Sequence, residues 1–324
     1  MPENTRPGQQ RYVAPLEETP LQEVDQLDTS APPTSLWKDA WRQLRRNPMF
    51  IASAILLTFL VMVIAFPGFF TDEPPRKCVL ARSYGPAESG HLFGFDRQGC
   101  DVFSRTLYGA RASVAVGVIT TSLIVLIGTI AGAFAGFYGK LVDTVISRTA
   151  DIFFAIPLLL AAIVILQVVT NRFPDRGFWG GVSAVVGALA LFGWPQITRI
   201  MRGSVLEVKN LEFVDAARAI GATPRRNLFR HIIPNAIAPV IVTATVSLGI
   251  IIVAEATLSF LGIGLPKSVV SWGNDISAAT ILVRSGDHIQ VMLIPAVALM
   301  LTVLSFILLG DAVKDALDPK ARKR

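Results

Sequence analysis

The chain has 324 residues, 52% of them hydrophobic and 17% charged, whereas soluble domains carry about 25% charged residues. That composition excludes an ordinary soluble domain and makes lipid the solvent. The net charge of +6 would suit nucleic acid, but the Lys and Arg residues sort by membrane side instead of forming one patch, which argues against that partner.

Residues 1–34 are rich in Pro, Gln and Glu, lack apolar periodicity and lack the basic-then-apolar layout of a cleavable signal peptide. They read as a disordered cytoplasmic tail. In 35–48, "SLWKDAWRQLRRNP" sets Leu36, Trp37, Ala40, Trp41 and Leu44 on one helical face with basic residues opposite. That pattern fits an amphipathic helix along the inner membrane surface, or equally a simple juxtamembrane anchor. Charge-free runs follow at 47–71, 112–139, 152–171, 177–198, 232–254 and 289–310. About 20 apolar residues cross a hydrocarbon core of about 30 Å, so each run is long enough to span.

The expected fold is an all-α membrane protein with six transmembrane helices. Its first span covers 49–71, an extracytoplasmic loop 72–111, and the remaining spans with their cytoplasmic loop at 205–235 occupy 112–310. Residues 311–324 form a second cytoplasmic tail. With this orientation 18 Lys and Arg from residue 35 onward lie inside and 10 outside, six of the ten in the long outer loop. The short loops obey the positive-inside rule, which makes both termini cytoplasmic.

Cys78 and Cys100 are the only cysteines, and both fall in the outer loop. In an oxidising space they could form a disulfide restricting the unfolded loop by about 3 kcal/mol. Two free thiols sharing a loop are the alternative. Further on, Gly128, Gly132 and Gly136 form a stripe that permits close helix packing. Pro157 and Pro195 are expected to interrupt and bend their spans. Glu255 follows 23 uncharged residues and reads equally as a carboxylate facing the pathway or as an interfacial, solvated one.

His91, His231 and His288 are far apart in the sequence and divided between the two membrane sides, which argues against metal or triad chemistry. "GFYGKL" at 136–141 lacks the Gly spacing and the Ser or Thr of a phosphate-binding loop, so no ATP site of that kind is expected here.

One basic segment separates the fourth and fifth spans. "VLEVKNLEFVDAARAI" and "RRNLFRHII" are potential helices joined by Gly-Ala-Thr-Pro, where Gly221 suits a left-handed cap and Pro224 can open a helix. Leu211, Phe213, Val214, Ala216, Ala217 and Ile220 are too many apolar residues for a solvated loop and suggest a docking surface. This segment resembles the EAA loop of ATP-binding cassette importer permeases, with Asp215 in the Glu position followed by Ala216, Ala217, Gly221 and Pro234. "HLFGFDRQGCDVFSRTLYGARASVAVG" (91–117), "EATLSFLGIGLP" (255–266) and "LTVLSFILLGDAVKDALDP" (301–319) are similar to the peptide and nickel branch of that family, specifically its second, C-type permease. The chain departs at Cys100, Phe95 and Ile307, where the family usually has Arg, Thr and Asn.

The resemblance implies the type I importer permease fold and a non-enzymatic subunit binding no cofactor itself, with ATP and Mg held by two partner ATPases or a fused pair. It implies a homologous B-type permease, an extracytoplasmic peptide-binding protein and a bacterial plasma membrane location. Asp215, Ala216, Ala217, Gly221, Ala222, Pro224 and Arg225 become the coupling residues that engage the ATPase. Glu255, Trp272, Asn274 and Asp275 are the expected pathway residues, the last three lying in the outer segment 268–280. Short peptides are the expected cargo, with nickel or glutathione as alternatives. An ion-driven secondary transporter would show inverted repeats and midplane ionisable residues, neither of which is visible. A membrane scaffold would leave the EAA-like segment without a purpose.

Overall fold

A computed structural model describes residues 36–174, 176–285 and 288–317. The expected disordered tail at 1–34 and the last seven residues lie outside that range. Helix α1 covers Leu36–Leu44 and α2 covers Pro48–Ala65. The Asn47 side chain caps α2 by accepting the Met49 N–H at 2.8 Å, and Pro48 occupies a first-turn position where a missing N–H costs nothing. A loop with two short 3-10 turns leads to α3, Val102–Tyr138. Then come α4 (Lys140–Phe154), α5 (Leu158–Arg172) and α6 (Gly177–Val208). A helical knob follows, built from α7 (Glu212–Ala219), α8 (Pro224–Asn227), a π turn at Leu228–Ile232 and α9 (Ile233–Ala236). Helices α10 (Ala238–Phe260), α11 (Trp272–Ser285) and α12 (Gln290–Leu317) complete the chain.

Among the described residues five helices, α2, α3, α6, α10 and α12, are each long and apolar enough to cross a membrane, and the bent pair α4 with α5 makes six when it is counted as one broken span. The third span is interrupted at Pro157 as expected, its two helices meeting at 78°. Pro157 sits at that break with an extended backbone, ψ 123°. Pro195 behaves differently, because α6 continues through it. The second span also begins earlier than expected: α3 starts at Val102 inside the region read as loop. Its 37 residues reach about 55 Å, well beyond the hydrocarbon core.

The bundle is organised around the α3–α6 pair. Without a hydrophobic driving force between helices in lipid, close backbone approach has to supply the attraction. The glycine stripe does so. A Cβ on Gly132 would meet the Thr198 carbonyl and lie 2.8 Å from Met201 Cβ, and one on Gly136 would lie 2.9 Å from the Arg202 carbonyl. Helices α10 and α12 pack beside this pair, α2 covers α12, and α1 lies on α12.

Candidate functional site

The knob grows directly out of α6. The chain breaks helix at Lys209–Leu211, so the long first helix expected there is two, α6 and α7. Lys209 Nζ donates to the Gly136 carbonyl at 2.8 Å, and Ser204 Oγ donates to the Ala236 carbonyl at 2.8 Å. These bonds tie both ends of the knob to the α3–α6 pair. Helix α7 ends in a Schellman arrangement: Ala222 N–H reaches the Ala217 carbonyl and Gly221 N–H the Arg218 carbonyl, both at 3.0 Å. Gly221 has φ +89°, a left-handed conformation that side chains with a Cβ adopt only at a cost. Thr223 then accepts the Arg226 N–H, and Pro224 opens α8.

Helical spacing divides the apolar residues of α7 into two faces. Val214 is fully buried and Ala217 nearly so. Val214 joins the main core with Val205, Leu228 and Ile232, and its carbonyl accepts the buried Asn227 side chain at 3.5 Å. This corrects the expected docking surface, since Val214 and Ala217 hold the knob to its own protein. The outward face keeps Leu211, Phe213, Ala216 and Ile220. Ile220 is 88% exposed. Asp215, Pro224 and Arg225 are exposed beside it and Ala222 is half-buried. Asp215 pairs with Arg218 at 3.0 Å.

The expected pathway residues gather at the opposite end of the bundle, but in unexpected roles. Glu255 is 0% exposed. Its carboxylate accepts the Ser259 hydroxyl at 2.8 Å, and Ser259 Oγ in turn accepts Leu265 N–H at 3.1 Å. Glu255 thus faces neither solvent nor pathway within this chain, contrary to both sequence-based readings. Trp272 is 1% exposed and donates its indole N–H to the Thr106 carbonyl at 2.9 Å, which likewise removes it from a surface role. Asn274 braces the turn before α11 by donating to the Pro266 and Val269 carbonyls at 3.0 and 2.9 Å. Asn274 and Asp275 do border an open cavity of about 520 Å³, lined by Leu80 and residues 96–98 of the loop, the end of α10, α11 and the first turns of α3 and α12.

A buried ion cluster beside this cavity escaped the sequence reading. Arg105 Nε donates to Asp275 Oδ1 at 3.0 Å, a second guanidinium nitrogen reaches the same oxygen, and Asp96 lies 3.4 Å away. Burial pushes the Asp275 carboxyl above its ordinary value while the Arg105 charge pulls it back. Asp96 also accepts the backbone N–H groups of Gln98 and Cys100 at 2.8 and 2.9 Å. Arg105 therefore links the 72–101 loop to α11 across 170 residues of sequence. The same loop carries the Cys78–Cys100 disulfide. It also holds a buried pair in which His91 Nδ1 lies 3.0 Å from Asp101, whose other oxygen caps α3 through Ser104 N–H. No cluster of His, Cys, Asp and Glu suited to a metal ion occurs among the described residues.

A multi-pass helical bundle with an apolar knob at one end and a folded loop at the other has the architecture of a type I importer permease. The chain belongs to the family of binding-protein-dependent transport system inner membrane components, whose description matches residues 124–323. A second description, the N-terminal transmembrane domain of oligopeptide transport permease C, matches residues 35–84. The chain is 36% identical over 289 residues to the oligopeptide transport system permease protein OppC of Bacillus subtilis (strain 168), covering 89% of this chain and 91% of that protein. It is 35% identical over 292 residues to the dipeptide transport system permease protein DppC of the same organism, covering 90% and 88%. The glutathione transport system permease protein GsiD of Escherichia coli O6:K15:H31 (strain 536 / UPEC) is 35% identical over 316 residues, covering 96% and 98%. In fold the chain is similar to one chain of the inward-facing MetNI methionine ABC transporter, with a TM-score of 0.53, 20% identity, and coverage of 66% of this chain and 96% of that one.

Proposed function

We propose that this chain is one of two permease subunits of an ATP-binding cassette importer carrying short peptides into a bacterial cytoplasm. The observation that carries the reading is the outward face of α7, an apolar patch on a rigidly capped helix in a chain of this family. Its occupant is a cleft on a separate ATPase subunit. Two ATPases bind ATP and Mg, and their closure drives the knobs of this chain and a homologous B-type permease together. The chain itself performs no hydrolysis and needs no cofactor. Because Val214, Leu228 and Ile232 join the knob to the core around α6, a push on α7 is delivered to the spans as a rigid-body motion.

In this arrangement the knob and both termini are cytoplasmic. The disulfide loop faces the oxidising side, beneath a peptide-binding protein. Two labelled cysteines after alkylation without reductant would contradict that placement. The peptide assignment rests on the named cargo of the OppC and DppC relatives. Glutathione is the second reading, supported by the GsiD relative. A deletion strain supplied with di- and tripeptides as the only source of a required amino acid is expected not to grow. Normal growth with lost glutathione accumulation would replace peptides by glutathione and leave the permease reading in place.

A further inference from the structure

The junction of α1 and α2 plays no part in the transport reading, yet it is built as a site. The Arg45 guanidinium carbon lies 5.1 Å from the centre of the Trp41 ring. Trp41 meets Phe50 edge-on, with ring centres 6.1 Å apart. Arg45 lines this corner, Arg46 follows it in the chain, and Asp39 is the only acidic residue of α1. From it an apolar groove descends along α2 past Ile51, Ala54, Ile55, Thr58, Phe59 and Met62. Residues 51 to 62 rise about 16 Å, about half of a hydrocarbon core of roughly 30 Å. The groove walls come from α1, α2 and the turn between them, so the site is complete within one chain.

A cationic head, an aromatic collar and an apolar trough one leaflet deep match the three parts of a membrane lipid in order. Aromatic rings favour the headgroup level, and a guanidinium binds phosphate through a planar fork of donors. The excess of Arg over acidic residues selects a headgroup with net negative charge, because a choline or ethanolamine ammonium would enter a field of its own sign. We propose that this groove binds one anionic phospholipid from the leaflet at the knob end, with its phosphate at Arg45 and Arg46 and an acyl chain along α2.

The test uses the full chain in nanodiscs of phosphatidylcholine doped with phosphatidylglycerol carrying a photoreactive acyl chain, followed by mass spectrometry of the adducts. Adducts are expected on the peptide spanning residues 45–62. Labelling should fall about fivefold per charge removed in Arg45→Ala and Arg46→Ala and return in Arg45→Lys. Three results would overturn the proposal. One is equal labelling by a phosphatidylcholine probe with the same chain. Another is undiminished labelling in the Ala variants with unchanged thermal stability. Cross-linking of Ile55→Cys to the second permease in the assembled complex would also overturn it, because a protein would then occupy the groove.

Discussion

The knob and the 72–101 loop are attached to the same bundle by different balances of apolar and directional contacts. The knob is held mainly by apolar contacts, Val214, Leu228 and Ile232 packing into the core around α6, and it turns a second apolar face outward. The loop is pinned by directional ties: the Cys78–Cys100 bond, the Arg105–Asp275 pair and the Asp101 cap. Apolar packing is non-directional and leaves surface available to a partner, whereas buried charges hold only if their geometry is kept. The loop is therefore the end tied by directional contacts, and the knob the end whose proposed role is to receive a partner.

The largest expected effect lies in the loop. Arg105→Ala leaves Asp275 buried without its partner, a loss of about 3–5 kcal/mol, seen as faster hydrogen exchange over residues 72–101 and α11. Exchange equal to wild type would mean that the cluster does not hold the loop. Cys78→Ser removes the chain closure and is worth about 3 kcal/mol in the entropy model, measured as greater protease sensitivity confined to the same loop. If protection is unchanged, the ionic ties alone suffice. In the knob, Val214→Ala deletes buried methyl groups worth about 2 kcal/mol, lowering the thermal midpoint of the purified chain. An unshifted midpoint would show that the inner face of α7 carries no stability.

The spans are legible in the sequence because their apolar runs exceed the membrane thickness, and the spacing of Gly128, Gly132 and Gly136 alone marks a face of close helix packing. Gly221 and Pro224 likewise mark the turn of the knob, since only a few residues suit those backbone positions. What escapes a reading of the sequence depends on contacts distant along the chain. Pro157 and Pro195 look alike in the chain, but Pro195 lies where α6 packs closely on α3 at Gly128 and Gly132, and there the helix runs on through the proline. Glu255 and Trp272 lie near the outer end in sequence, while their burial follows from neighbours such as Thr106 on α3, 166 residues from Trp272. The Arg105–Asp275 pair leaves no local signal. Val214 and Ala217 are misplaced when the apolar residues of α7 are counted without their 3.6-residue period.

In the proposed function the outward face of α7 meets the ATPase. That contact is tested most directly by Ile220→Asp in the reconstituted importer, with peptide uptake and retained ATPase subunit measured together. Ile220 touches little of its own protein, so stability should stay within about 0.5 kcal/mol. A side chain central to an interface is worth about 2 kcal/mol or more, so uptake should fall at least tenfold and ATPase subunit be lost on purification. Wild-type uptake with a full complement of ATPase subunit would contradict the account.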